Sequence, residues 1–195
     1  MKVSPLNGKM RYIASVSFGK DSLAMLIVLI ARHEPLDEVV FYDTGMEFQA
    51  IYDTRDVAVK ELLEPNNIKF TQLKPSMPFM DKMLNYEHKT RKGGLKKGYG
   101  WCGGMCRWGT TEKLRAIDKY CEGAHQYIGI ALDETKRLER LNGTNKSSPL
   151  AKYGYTEKKA LELCYFIGFH WEQDGIRLYD VLDRVSCWCC RNKNL

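Results

Sequence analysis

The feature that most narrows the possible folds is Ser17-Phe18-Gly19-Lys20-Asp21-Ser22, set between two apolar segments. Tyr12 to Val16, before it, reads as a buried strand. Leu23, Ala24, Met25, Leu26, Ile27, Leu29 and Ile30, after it, read as a buried helix ending near Arg32. A strand, a short turn of small and polar residues and then a helix is the layout of an anion site. The turn presents backbone N–H groups, and the helix start adds partial positive charge. Gly19 lets the backbone approach an anion closely. Lys20 brings a point charge, and Ser17 and Ser22 bring hydroxyl donors. The segment is not a Walker A loop, which needs Gly-x-x-x-x-Gly-Lys-Ser/Thr. Ala14 stands where the first glycine would be, and Asp21 follows Lys20. Without a ligand the same residues are an ordinary capped strand-to-helix turn.

The pattern continues along the chain. After Pro35, the run Val39 to Tyr42 reads as a second strand ending at Asp43-Thr44-Gly45. Residues 48–63 have helical spacing, Pro65-Asn66-Asn67 is a turn, and Ile68 to Leu73 alternates like a strand. Repeated strand–helix units imply a parallel sheet with right-handed crossovers. The expected fold class is therefore α/β: a doubly wound, mainly parallel sheet with helices on both faces. Ligands in such sheets sit beyond the carboxyl ends of the strands. Ser17–Ser22 and Asp43–Glu47 should thus face one cleft, although Asp43-Thr44-Gly45 by itself also fits a turn with a helix cap. Further on, a helix is expected over 79–88, another over 110–121 and a strand over 127–131. That strand ends in the loop Leu132-Asp133-Glu134-Thr135-Lys136-Arg137. Residues 142–148 read as a polar linker, and Thr156 caps a helix reaching about Ile167.

At 195 residues the chain suits one domain, 1–195, with a cysteine-rich C-terminal segment from about 170. No apolar run has the length of a membrane span and the N-terminus shows no secretory pattern, so the cytoplasm is expected. Thirty basic and 24 acidic residues give a net charge of +6, which permits a nucleotide or nucleic-acid partner. Lys89, Arg91, Lys92, Lys96 and Lys97 lie in a glycine-rich stretch, 89–104, that also holds Tyr99 and Trp101. Such a stretch reads either as a mobile loop that grips phosphate and stacks on bases or as a solvated loop with no ligand.

Seven cysteines without an export signal argue against a disulfide framework. Cys102-x-x-x-Cys106 and Cys187-x-Cys189-Cys190 form two tight groups. Cys102, Cys106, Cys187 and Cys190 suit a structural Zn²⁺ or a 4Fe-4S cluster; separate free thiols are the alternative. Cys121 and Cys164 lie on apolar helix faces and read as packing residues.

Taken together these segments resemble the ATP-pyrophosphatase and phosphoadenosine-phosphosulfate (PAPS) reductase superfamily. Ser17–Ser22 resembles its Ser-Gly-Gly-Lys-Asp-Ser loop, with Phe18 in place of one glycine. Asp43-Thr44-Gly45 is similar to its Asp/Asn-Thr-Gly segment, and Gly129 to Arg137 is similar to its Gly-Ile-x-x-Asp-Glu-Ser-x-Arg segment. Trp101-Cys102, Cys106-Arg107-Trp108 with the helix through Thr111, and Asp183 to Cys190 resemble the cysteine regions of small bacterial and phage members. The resemblance implies an adenine-nucleotide fold that binds ATP or a PAPS-like nucleotide with Mg²⁺. Ser17, Phe18, Gly19, Lys20, Asp21, Ser22, Asp43, Thr44, Gly45, Asp133 and Glu134 would hold the nucleotide. Lys20 and Arg137 would stabilise charge on the phosphates, and Asp133 and Glu134 would orient Arg137 or help bind the magnesium. The implied activity is cleavage of ATP to AMP and pyrophosphate to activate a substrate for sulfur transfer, with tRNA or DNA as a possible acceptor. Reduction of a sulfonucleotide, using Cys189 or an external thiol, is the alternative. The Glu-Cys-Gly segment that carries the attacking cysteine in assimilatory reductases is absent from these residues. A nucleotide-binding module with a structural zinc and no catalysis is the reading from a different class.

Overall fold

The computed structural model describes residues 10–98, 106, 111–185 and 187–190. Tyr12–Ser15 forms β1, with Ile13 and Ala14 fully buried. It leads into α1, Lys20–Ala31, in which every residue from Ser22 to Leu29 is buried. A helix that is apolar all round must be covered all round; the sheet and two later helices provide the cover. β2 is Glu38–Tyr42 and is buried along its whole length, as a central parallel strand should be. α2, Gln49–Ala58, runs into a π-helical turn at Val59–Leu63. β3 follows at Lys69–Leu73.

Two sequence expectations change here. The helix expected over 79–88 is only α3, Phe79–Leu84. Its remainder becomes β4, Glu87–Lys89, which pairs antiparallel with β5, Leu95–Lys97. Part of the expected loop is therefore a hairpin. After α4 (Lys113–Tyr120), β6 (His125–Ile128) and α5 (Thr135–Leu138), the supposed linker supplies a short edge strand, β7, Lys146–Ser147. Its polar composition suits an edge, where one side of the backbone meets solvent. The chain continues through α6 (Pro149–Lys152), α7 (Glu157–Phe166), a small hairpin of β8 (Glu172–Gln173) and β9 (Ile176–Arg177), and α8 (Leu178–Val181).

The main sheet has the order β3-β2-β1-β6-β7, and every adjacent pair is parallel. Alternation along the strands sends Ala14, Val39 and Phe41 into a core with α1, α6 and α7, while Ile13, Val40 and Tyr42 meet Ile117 and Cys121 of the α4 region on the opposite face. The fold is thus α/β with helices on both faces. Cys121 and Cys164 are buried in these two cores. Strand order reverses between β1 and β6, and that switch point opens a crevice at the carboxyl ends. Among the described residues no helix is long and apolar enough to cross a membrane.

At the amino end of β2, Glu38 is 2% exposed yet fully partnered. It takes Arg11 at 2.6 Å, Lys69 at 3.0 Å, and the hydroxyls of Thr71 and Tyr120 at 2.5 Å each. Burial pushes its pKa up, but these hydrogen bonds and charges outweigh burial and hold it below the ordinary carboxylate value.

Candidate nucleotide site at the strand ends

A cleft of about 210 Å³ opens at the switch point, between the turn after β1 and the loop after β6. Ser17, Gly19, Lys20, Asp21, Ser22, Gly129 and Arg137 line it, with Tyr179, Asp183, Arg184 and Val185 from the C-terminal segment. The turn is held from inside. Ser17 N donates to Ser22 Oγ at 3.1 Å, and Ser22 Oγ donates to the Gly19 carbonyl at 3.1 Å. Phe18 adopts φ 57°, a left-handed conformation that costs a non-glycine residue on the order of 1–3 kcal/mol. Its side chain is fully buried, edge-on to Phe41 at 5.4 Å and Phe70 at 6.1 Å. Its carbonyl accepts from Trp171 Nε1 at 2.7 Å. Phe18 therefore anchors the loop in the core. On the far wall, Gly129 has no room for a side chain: a Cβ there would lie 2.8 Å from the backbone of Asp21 and Ser22. Glycine lets the end of β6 close onto the start of α1.

Lys20 is 7% exposed, and its Nζ lies between Asp21 Oδ1 at 2.8 Å and Glu157 Oε2 at 3.1 Å. Burial lowers the Lys20 pKa, but the two carboxylates more than reverse this and the net shift is upward. Asp21 is also raised: burial outweighs Lys20, and the charges of Glu157 and Glu134 push the same way. Two carboxylates thus share one buried ammonium. Across the cleft, Arg137 pairs with Glu134, which also accepts from Ala131 N at 3.2 Å and meets Arg184 at 3.4 Å. Asp133 does not line the cleft; it accepts from Glu157 N at 3.1 Å and so helps cap α7 beside Thr156. That cap places Glu157 against Lys20. Among the described residues no three His, Cys, Asp or Glu side chains converge as ready-made metal ligands. A magnesium ion carried by one or two carboxylates and substrate phosphates needs no such group, so the carboxylates present fit it.

Asp43, Thr44 and Gly45 are not among the residues lining this cleft. Asp43 accepts from Gly45 N, Tyr52 OH and Gln72 Nε2, each at 2.8 Å. Thr44 Oγ1 donates to Glu47 Oε1 at 3.0 Å and lies 3.5 Å from Cys187 Sγ. The strand-end loop after β2 therefore meets the cysteine segment, and Trp188 N donates to the Met46 carbonyl at 2.8 Å. Met46, Phe79 and Met83 form a small apolar cluster against which Cys106, Cys187 and Cys189 pack. Burial, with Glu47 nearby, pushes the Cys187 thiol up to about 12. Cys190 N closes a turn onto the Cys187 carbonyl at 3.0 Å. Cys102 lies outside the described residues. The thiol chemistry suits Zn²⁺ or an iron–sulfur cluster, but the described thiols do not form a convergent ligand set.

Sequence reasoning missed the part played by the C-terminal segment in the cleft. The Tyr179 hydroxyl accepts from Lys20 N at 2.8 Å, across 159 residues of chain, and its ring meets Trp171 edge-on at 4.8 Å. Tyr179, Arg184 and Val185 line the cleft beside Gly19 and Lys20, while Cys187 and Trp188 reach the β2 end. Polar and aromatic residues just before the cysteines were the available signal.

The phosphoadenosine phosphosulfate reductase domain family matches residues 11–151. An uncharacterized protein of Methanocaldococcus jannaschii is 24% identical over 192 residues, covering 91% of this chain and 35% of that protein. Among solved structures, the U34-tRNA thiolase NcsA from Methanococcus maripaludis with its 4Fe-4S cluster superposes with a TM-score of 0.53 at 16% identity, covering 89% of this chain and 62% of that one. The chain thus spans about a third of the curated relative and under two thirds of the structural neighbour. The structural likeness is one of fold.

Proposed function

The chain belongs to the phosphoadenosine phosphosulfate reductase domain family, and from that premise we propose that it cleaves ATP to AMP and pyrophosphate in order to activate a substrate for sulfur transfer. A substrate oxygen attacks the α-phosphorus, the bond to the bridging oxygen breaks, and that electron pair leaves on pyrophosphate. Lys20 and Arg137 stabilise the charge that develops on the phosphates. Magnesium held by Glu134, beside Arg137, and by the phosphates would supply further charge neutralisation. Sulfide then displaces AMP, the C–S bond forming as the C–O bond breaks; where a cysteine persulfide is the nucleophile, the resulting C–S–S–Cys disulfide is cleaved by a second thiol, which ends as a disulfide with that cysteine. A nucleic-acid base is the proposed acceptor, in keeping with the thiolase neighbour. The four-cysteine centre at Cys102, Cys106, Cys187 and Cys190, as 4Fe-4S or Zn²⁺, remains part of the proposal, as do a single domain over the whole chain and a cytoplasmic location.

The observation that carries the reading is the buried ammonium of Lys20, shared by Asp21 and Glu157 at the switch point and facing Arg137. Two carboxylates crowding one cation leave Lys20 ready to exchange them for phosphate oxygens. Pyrophosphate release from ATP by the anaerobically purified protein, supplied with sulfide and bulk tRNA, tests it. Release above the Lys20→Met background is expected, and its absence would overturn the activity. The family match also favours a second reading, reduction of a PAPS-like nucleotide, for which the protein supplied with PAPS and a thiol donor in place of ATP would release sulfite as the thiols become a disulfide.

A further inference from the structure

The β4–β5 hairpin takes no part in the cleft. Within Glu87–Lys97 stand Lys89, Arg91, Lys92, Lys96 and Lys97 against the single acid Glu87. Arg91 to Lys97 are all exposed. Among the described residues no ion pair joins any of the five cations to a carboxylate. Across the pair Lys97 faces Glu87, while Lys96 faces His88 and Lys89 faces Leu95, so one of the five cations has an acid opposite it, and so small a strand pair has no core of its own. Their arrangement suits an anionic partner.

The root of the hairpin is firmly set. Gly98 N donates to the Tyr86 carbonyl at 2.8 Å, and a Cβ on Gly98 would lie 2.2 Å from the Met83 carbonyl. The arm therefore clamps onto the end of α3. Met83 and Phe79 of α3 in turn pack with Met46 beside Cys106, Cys187 and Cys189. Tyr86 and His88 stack at 6.5 Å, with Lys82 Nζ 5.6 Å from the Tyr86 ring centroid. The arm is thus fastened to α3, the helix against which Cys106, Cys187 and Cys189 pack. Its strands are three residues each, roughly 10 Å of extended chain, and with the turn beyond them the arm has the scale of a few successive phosphates.

We propose that the Glu87–Lys97 hairpin is a docking arm for the phosphodiester backbone of a nucleic acid, laying the strand beside the thiol end of the molecule. The proposal rests on the sulfur-transfer reading only for what happens to the docked strand. Phosphate contacts of this kind bind with little sequence preference and with strong salt dependence.

The test compares the wild-type chain with Arg91→Glu/Lys92→Glu/Lys96→Glu, using bulk tRNA, a defined single-stranded DNA and its duplex as probes across a salt series, alongside a non-hydrolysable ATP analogue. The variant should bind the preferred nucleic acid at least about tenfold more weakly, with the salt slope reduced by roughly one per lost contact. Its ATP-analogue affinity and urea midpoint should match wild type. Whichever probe binds tightest identifies the acid. Failure of the wild type to bind any of them, or equal binding and slope in the variant, overturns the proposal. So does a parallel loss of nucleotide affinity, which would make the arm a lid. If the charge-reversed chain misfolds, the milder Arg91→Gln/Lys92→Gln is read by the same criteria. A wild type that binds nucleic acid but releases no pyrophosphate, with binding lost in the variant, would sink the ATP reading and leave the docking arm standing.

Discussion

The two ends of the central sheet both bury charge, and they do so in opposite ways. At the amino end Glu38 is one carboxylate with two cations and two hydroxyls, and its pKa is lowered. At the carboxyl end Asp21 and Glu157 compete for one ammonium, and the Asp21 pKa is raised. The first arrangement is satisfied and needs no ligand. The second is over-supplied with anions around a buried cation, and a phosphate arriving there can take over the cation. The turn that carries the second arrangement is held by apolar anchoring of Phe18 and by hydrogen bonds among its own serines, not by its charges. Strain and frustrated electrostatics gather where the strands end, as expected of a site rather than of a scaffold.

The contrast can be broken by substitution. Phe18→Ala should have the largest effect, a loss of about 3–5 kcal/mol of stability, measured by urea unfolding. A loss below about 1 kcal/mol would mean that the aromatic anchor does not hold the turn. Glu38→Gln comes next, at roughly 1.5–3 kcal/mol. Because the folded pKa of Glu38 lies below its unfolded value, its stabilisation is present above the unfolded pKa, about 4.3, and is lost as pH falls through the folded value. The wild-type and Glu38→Gln stability curves should therefore draw together as pH falls from about 4.3 through the lowered folded value; a constant gap would refute the ion-pair account. Asp21→Asn should have the smallest effect, under about 1 kcal/mol at neutral pH. Its sign logic is reversed: with the folded pKa raised, ionising Asp21 subtracts stability as pH rises from the unfolded value through the folded one. A destabilisation by Asp21→Asn as large as that of Glu38→Gln would erase the distinction between the two ends.

What was legible in the sequence was what is contiguous along the chain. The apolar run 23–30 and the small polar turn before it announced β1, the turn and α1, and repetition of the unit announced a parallel sheet. Contacts that span the chain were not legible. Tyr179 reaches Lys20 across 159 residues and Glu157 across 137, and spacing carries no sign of either. Phe18 was read as a variant of a binding loop, although its side chain belongs to the core. Asp43 is expected to face the nucleotide, and spacing gives no sign that its carboxylate also accepts from Tyr52 of α2 and Gln72 of β3. Residues 142–148 were too polar to announce an edge strand, because edge pairing uses backbone groups that all residues share.

The central claim is that Lys20 exchanges Asp21 and Glu157 for phosphate when nucleotide binds. Titration calorimetry with pyrophosphate and with a non-hydrolysable ATP analogue, on wild type, Lys20→Met and Glu157→Gln, tests it most directly. Losing one charge-assisted contact of about 1.5–3 kcal/mol predicts roughly tenfold to hundredfold weaker binding for Lys20→Met. Glu157→Gln, which removes a competitor for the ammonium, should bind as tightly as wild type or tighter. Unchanged affinity in a folded Lys20→Met protein would contradict the account.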